Sequence, residues 1–302
     1  MPNAKLLNYL HLHFIVFIWG FTAVLGALIS IDAIPLVWFR MSIASLLILV
    51  WVGYKKIPLK YTPKTMAVFL LCGLIIAAHW LTFFGAIKVA NVSVTLAIMA
   101  TGSFFTAILE PIYYKRKVIW YELLFGLIVI LGLYIIFQVE GDYTWGILLA
   151  LTSAFLSALF SVINGKLATQ YNASAISFYE LFFGVACITI YLLGSGSFDA
   201  SFFTLSQADW GYLFILASAC TAYAFIASVH VMKWISPYTV MLTINMEPVY
   251  GILLALLILG DSENMGPQFY YGAAIILATV IANGITKNRT KKKSKIVKEF
   301  NT

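Results

Sequence analysis

Apolar residues run along this chain in long unbroken blocks instead of alternating with polar ones. Ten blocks stand out, at 10–30, 34–53, 65–87, 92–113, 119–138, 144–165, 173–194, 208–232, 237–260 and 268–286. Each is close to the ~20 residues that a helix needs to cross a ~30 Å hydrocarbon layer. Strands of a membrane β-barrel would be ~10 residues long with alternating polarity. The pattern therefore predicts an all-α integral membrane protein with ten transmembrane helices, short connections and no soluble domain. The first block outruns the apolar core of a signal peptide, so we read it as an uncleaved first span.

Composition agrees: 62% of the 302 residues are hydrophobic and 10% charged, where a soluble domain carries about 25% charged residues. Cys72, Cys187 and Cys220 all fall inside apolar blocks, without C-x-x-C or Cys/His spacing. They read as packing residues, and neither metal nor cofactor is expected.

Charge sorts by loop. With the amino end in the cytoplasm, one set of loops carries Lys55, Lys56, Lys60, Lys64, Lys115, Arg116, Lys117, Lys166 and Lys233. The opposite set carries Asp32, Glu140, Asp142, Asp199, Asp209, Asp261 and Glu263. Of the basic residues only Arg40 and Lys88 fall outside the pattern, which the positive-inside rule explains with both termini cytoplasmic. The net charge of +7 is then topology, not nucleic-acid binding. The basic segment 287–302 reads as an anchoring cytoplasmic tail on membrane lipid.

The halves resemble each other. Ala86–Ser93 matches Val231–Tyr238 in hydropathy and in the placed lysine, Trp120–Gly126 is loosely like Met265–Gly272, and Trp19–Val24 can be set on Ser157–Val162. Five helices per half predicts two inverted repeats, 1–140 and 141–286, ahead of the tail. Exchanging the conformations of two like halves moves a central site from one side of the membrane to the other, as secondary transporters do.

Three stretches carry a family resemblance: His79-Trp80-Leu81-Thr82-Phe83-Phe84-Gly85-Ala86-Ile87-Lys88, Met246-Glu247-Pro248-Val249-Tyr250 and Leu257-Ile258-Leu259-Gly260-Asp261. They resemble the drug/metabolite transporter superfamily, in particular its EamA-like branch of ten-helix carriers. Asp261 stands where the family usually has Glu. Thr101-Gly102-Ser103 stands where a proline is common in the fourth helix, and Glu110-Pro111 follows about two turns later, so no role passes to Glu110. The resemblance implies alternating-access transport of small metabolites, amino acids or related compounds, as an exporter in the bacterial inner (plasma) membrane. A drug, cation or lipid-linked substrate fits the same fold, and so does a homodimer.

Charged groups in hydrocarbon are costly and point to function or to a partner. Glu247 lies ~15 Å into its helix, near the midplane. Thr243, Glu247 and Tyr250 share a helical face, and Pro248 frees a nearby carbonyl. That arrangement suits a substrate or proton site, or a structural Glu bonded to a neighbouring helix. Arg40 lies ~9 Å from one boundary and Glu180 ~10 Å from the other, too far apart for a salt bridge. His79 falls level with Arg40, as an anion-recognising pair or as a helix–helix hydrogen bond. Glu180 could gate the cytoplasmic side, or pair with Lys166 or Lys233. Glu110 should pair with the Lys115-Arg116-Lys117 cluster. Trp19, Trp80 and Tyr250 are deep enough to touch substrate, whereas Trp38, Trp51 and Trp120 sit where interfacial aromatics belong. Polar stripes Ser153/Ser157/Ser161/Asn164, Trp19/Thr22 and Thr95/Gly102/Thr106 line a cavity or serve close packing.

Four scattered histidines and the absence of H-E-x-x-H and G-x-S-x-G motifs argue against an enzyme. No P-loop motif points to ATP drive, and no filter-like loop to a channel. Proton antiport through Glu247, substrate exchange and downhill flux all remain open.

Overall fold

The computed structural model describes residues 2–117, 120–139 and 143–300, all-helical apart from turns and loops. In chain order the helices are α1 (Pro2–Leu28), α2 (Ala33–Tyr54), α3 (Pro63–Val89), α4 (Val92–Met99), α5 (Gly102–Tyr113), α6 (Trp120–Val139) and α7 (Thr144–Gln170). They continue with α8 (Ala173–Ser195), α9 (Gln207–Ala217), α10 (Ala224–Val231), α11 (Pro237–Ile244), α12 (Glu247–Leu259) and α13 (Pro267–Phe300). Seven segments among the described residues are long and apolar enough to cross a membrane: α1, α2, α3, α4 with α5, α7, α8, and α9 with α10. Large apolar side chains such as Leu46, Trp120, Leu193 and Leu257 point outward from the bundle, as lipid contact requires. The chain is a multi-pass membrane protein. Glu140, Asp142 and the expected repeat boundary at 140/141 lie outside the described residues.

Several predicted segments change shape. The first helix starts at Pro2, eight residues before the apolar block. The last block is the beginning of a helix that continues to Phe300. The block 208–232 is one span interrupted by a π-turn, Ser218–Tyr223. The blocks 92–113 and 237–260 are each two helices, broken at Ala100–Thr101 and at Asn245–Met246. Only the second break has a proline to announce it. Pro248 is the second residue of α12 and offers no N–H to Ile244.

Helices in lipid gain nothing hydrophobic by associating, so close packing of small residues holds them together. A Cβ on Gly73 of α3 would stand 2.6 Å from the carbonyl oxygen of Glu180 on α8, and one on Gly184 would stand 3.1 Å from the Gly73 carbonyl. Only glycine allows that approach. Gly196 ends α8 in the left-handed conformation (φ +70°) and its N–H returns to Leu192 and Leu193.

The exposed-loop charges are put to structural use. Glu263 is buried and accepts from the backbone N–H groups of Val92 (3.0 Å) and Ser93 (2.8 Å), the open donors at the start of α4. Asp209 accepts from Ser30 N–H and Oγ–H, both at 2.7 Å, tying the start of α9 to the end of α1. Lys88, the apparent exception to the charge pattern, donates to the Ile29 carbonyl at the same end of α1. Glu263→Ala strands two buried donors, so we expect a loss of about 1–3 kcal/mol, read as a lower melting temperature in detergent. Glu263→Gln should lose less.

Candidate functional site

Residues beside both helix breaks line one cavity of about 80 Å³ between α1, α2, α3, α4, α7, α10, α11 and α12. That space holds roughly five to eight waters at ~10–15 Å³ each, or a small metabolite. Trp19 and Thr22 reach it from α1, Arg40 from α2, His79 and Trp80 from α3, and Glu247 from the first position of α12. Apolar walls come from Phe83, Phe160 and Phe225. Ser157 and Ser161 of α7 and Ser228 of α10 add hydroxyls.

Arg40 is 2% exposed, yet among the described residues no carboxylate lies within 4.0 Å of it. Its Nε donates to Thr221 Oγ1 at 2.7 Å, and its guanidinium lies flat on Trp80, 3.9 Å from the ring centroid. Phe84 lies on it as well, at 5.3 Å. Cation–π contact of this kind is worth most where water is absent. Thr221 in turn donates to the Leu216 carbonyl, one of the groups that the π-turn leaves open. Nη1 of Arg40 has no hydrogen-bond partner among the described residues. Glu247 is 8% exposed and lines the same cavity. The only ion pair within 4.0 Å among the described residues is Arg116–Glu110, so the two charges share the space without closing on each other. The N-terminal end of α12 and the guanidinium both complement a carboxylate at that position.

His79 is locked to α7. Its Nδ1 lies 3.0 Å from the Ser153 carbonyl and 2.8 Å from Ser153 Oγ, while Ser153 Oγ donates to the His79 carbonyl. A carbonyl only accepts, so Nδ1 carries the proton and Nε2 is left to meet a solute. His79 thus makes the helix–helix hydrogen bond and also lines the cavity.

Three of the sequence-predicted residues lie elsewhere. Thr243 is on α11, ahead of the break, and its hydroxyl bonds the Thr239 carbonyl. Tyr250 packs edge-on against Phe17, at a centroid distance of 5.6 Å. The shared face expected for Thr243, Glu247 and Tyr250 assumed one continuous helix, and the turn at Asn245–Met246 removes it. Glu180 is wholly buried beside the cavity, bonded to Asn164, and pairs with neither Lys166 nor Lys233. Of the polar stripes, Ser157 and Ser161 face the cavity while Ser153 and Asn164 hold His79 and Glu180. Thr95 and Thr106 bond carbonyls of their own helices. Glu110 pairs with Arg116 at 3.1 Å, as its spacing from the basic cluster predicts. Sequence reading missed Thr221, Ser228, Phe160 and Phe225. Thr221 carries no signal because its value depends on a π-turn.

Comparison with known proteins places this architecture. The model of the EamA-like transporter family matches the chain twice, over residues 8–138 and 144–284. An uncharacterized transporter of Clostridium kluyveri is 26% identical over 256 residues, covering 81% of this chain and 79% of that one. The uncharacterized transporter YdfC of Bacillus subtilis is 22% identical over 226 residues, 74% of this chain and 73% of its own. A solved crystal structure superimposes with a TM-score of 0.67 at 14% identity, covering 91% of this chain and 96% of that one, a likeness of fold.

Thr221→Val removes the acceptor for Arg40 Nε while keeping the side-chain shape. A buried charge that loses one of its partners costs about 1–3 kcal/mol, and a lower melting temperature in detergent should report it.

Proposed function

We propose that this chain, which belongs to the EamA-like transporter family, is a carrier for small zwitterions of the amino-acid class, moved by alternating access. One observation carries the reading: a single buried cavity presents a guanidinium and a carboxyl that do not pair with each other. A solute with both charges satisfies both groups, its carboxylate on Arg40 and its ammonium on Glu247. A solute with one charge leaves a buried partner uncompensated, and that penalty selects against it. Trp19, Trp80, Phe83, Phe160 and Phe225 offer an apolar or aromatic side chain its contact.

Two inverted five-helix repeats, 1–140 and 141–286, supply the movement in this reading. The double family match supports them. So does the packing: α3 lies on α7 as α9 and α10 lie on α1, while α2 meets α8 and α6 meets α13. The breaks that open α5 and α12 recur at an interval of 145 residues, placing Gly102 where the other half has Glu247. Broken helices with their ends at a central site are what alternating-access carriers use. The basic loops support cytoplasmic termini, the relatives named above support a bacterial inner membrane, and export remains our direction for the flux.

Counterflow in proteoliposomes tests this directly. Vesicles loaded with neutral amino acids should accumulate a labelled trace, whereas vesicles loaded with sugars, nucleosides or hydrophobic monovalent cations should not. Accumulation of the hydrophobic cation alone would replace our reading with that of a drug carrier. Arg40→Gln and Glu247→Gln should each raise the half-saturation concentration about 10- to 100-fold, the worth of one charge-assisted hydrogen bond of ~1.5–3 kcal/mol.

A further inference from the structure

Beside the central cavity, α7 and α8 share a second polar site that the substrate reading leaves unused. Glu180 is 0% exposed and its Oε1 accepts from Asn164 Nδ2 at 2.9 Å. Its other oxygen, Oε2, has no hydrogen-bond partner among the described residues, and neither has Asn164 Oδ1. Two buried acceptors left open on two side chains already in contact is an expensive arrangement. A single proton removes both faults. Protonated Oε2 becomes a donor, and the acceptor that the same amide still has open is Oδ1. Carboxylic acid and carboxamide then close a cyclic pair with two hydrogen bonds.

Among the described residues no basic side chain lies within 4.0 Å of Glu180. Helix α8 packs against α2, α3, α7 and α10. From α2, Arg40 does not come within 4.0 Å of the carboxyl. From α3 the Cys72 thiol, a weak donor, lies against the carboxyl. From α7 comes the uncharged Asn164, and His230 of α10 is not within 4.0 Å. Access is also laid out. Ser161, one turn before Asn164, lines the central cavity, and Ser177 stands one turn before Glu180 toward the start of α8. Both hydroxyls are buried and without a hydrogen-bond partner among the described residues, so polar groups continue from the cavity past the acid.

We propose that Glu180 and Asn164 form a proton-holding acid–amide pair, a proton site separate from the substrate cavity. Its use in coupling rests on the carrier reading above. Arg40 and Glu180 are each the eighth residue of α2 and α8, matched positions in the two halves. When the halves exchange conformations, the surroundings of Glu180 open as those of Arg40 close, and the proton gains an exit.

Infrared spectroscopy of the purified full-length protein tests the pair without any transported solute. At neutral pH a protonated-carboxyl C=O band should be present in the wild type and in Glu247→Gln, and absent in Glu180→Gln. Asn164→Leu should keep the band but move it to higher frequency, because the amide bond that lowers it is gone. That shift carries the test even if Glu180→Gln fails to fold. A wild-type spectrum without such a band, or a band unchanged in a folded Glu180→Gln, overturns the proposal. So does a melting temperature raised by sodium chloride over choline chloride in the wild type but not in Glu180→Gln, which would assign the pair to a metal cation. Failed counterflow would leave the infrared result standing, and a failed infrared test would leave the substrate cavity intact.

Discussion

Hydrocarbon supplies no hydrogen-bond partner to a peptide group, so a chain that crosses it can leave regular helix only where protein or a polar cavity takes over. The irregular backbone of this protein obeys that constraint closely. The break at Ala100–Thr101 is buried, and Asn245 at the other break is 2% exposed. In the π-turn the Thr221 hydroxyl fills the Leu216 carbonyl. Both breaks flank one cavity, and the π-turn touches it through Thr221, which accepts from the cavity-lining Arg40. Outside it the helices run unbroken with apolar side chains turned to lipid. The site is where the bundle could accommodate broken helices, and the broken helices are what make it a site.

The same low-polarity surroundings dictate how each charge is held. Loop carboxylates cap helix ends, as Glu263 does for α4 and Asp209 for the α1–α9 junction. Near the surface, Glu110 takes an ordinary ion pair with Arg116. Deeper in, pairing gives way to other devices: Arg40 rests on an indole face, Glu180 on an amide, and Glu247 at the opening of α12. Direct ion pairs at that depth would neutralise Arg40 and Glu247, which line the cavity. Holding the charges apart keeps them available, at a stability cost that the close glycine packing between α3 and α8 helps to offset.

This arrangement also separates two tasks within one bundle. The cavity presents Arg40, Glu247 and aromatic walls, the groups on which the proposed recognition of a zwitterion rests. The α7–α8 pair lies apart from the cavity lining, with Ser161 between Asn164 and that cavity, and centres on one buried carboxyl.

Much was legible from the residues alone. Block length and polarity identified a helical membrane protein, and the cost of charge in lipid singled out Arg40, His79, Glu180 and Glu247. Those are local or cumulative properties, and a linear sequence carries them in full. Hidden were the break at Ala100–Thr101, which no proline signals, and the π-turn that makes Thr221 an acceptor for a residue 181 positions away. Hidden too was the loss of the shared face of Thr243, Glu247 and Tyr250, because a two-residue turn re-aims every side chain after it. Which charges meet in a cavity, and which are held apart, depends on contacts between helices remote in sequence. Only the packed bundle decides that, since hydrocarbon leaves each buried polar group to be satisfied by whatever neighbour the fold brings to it.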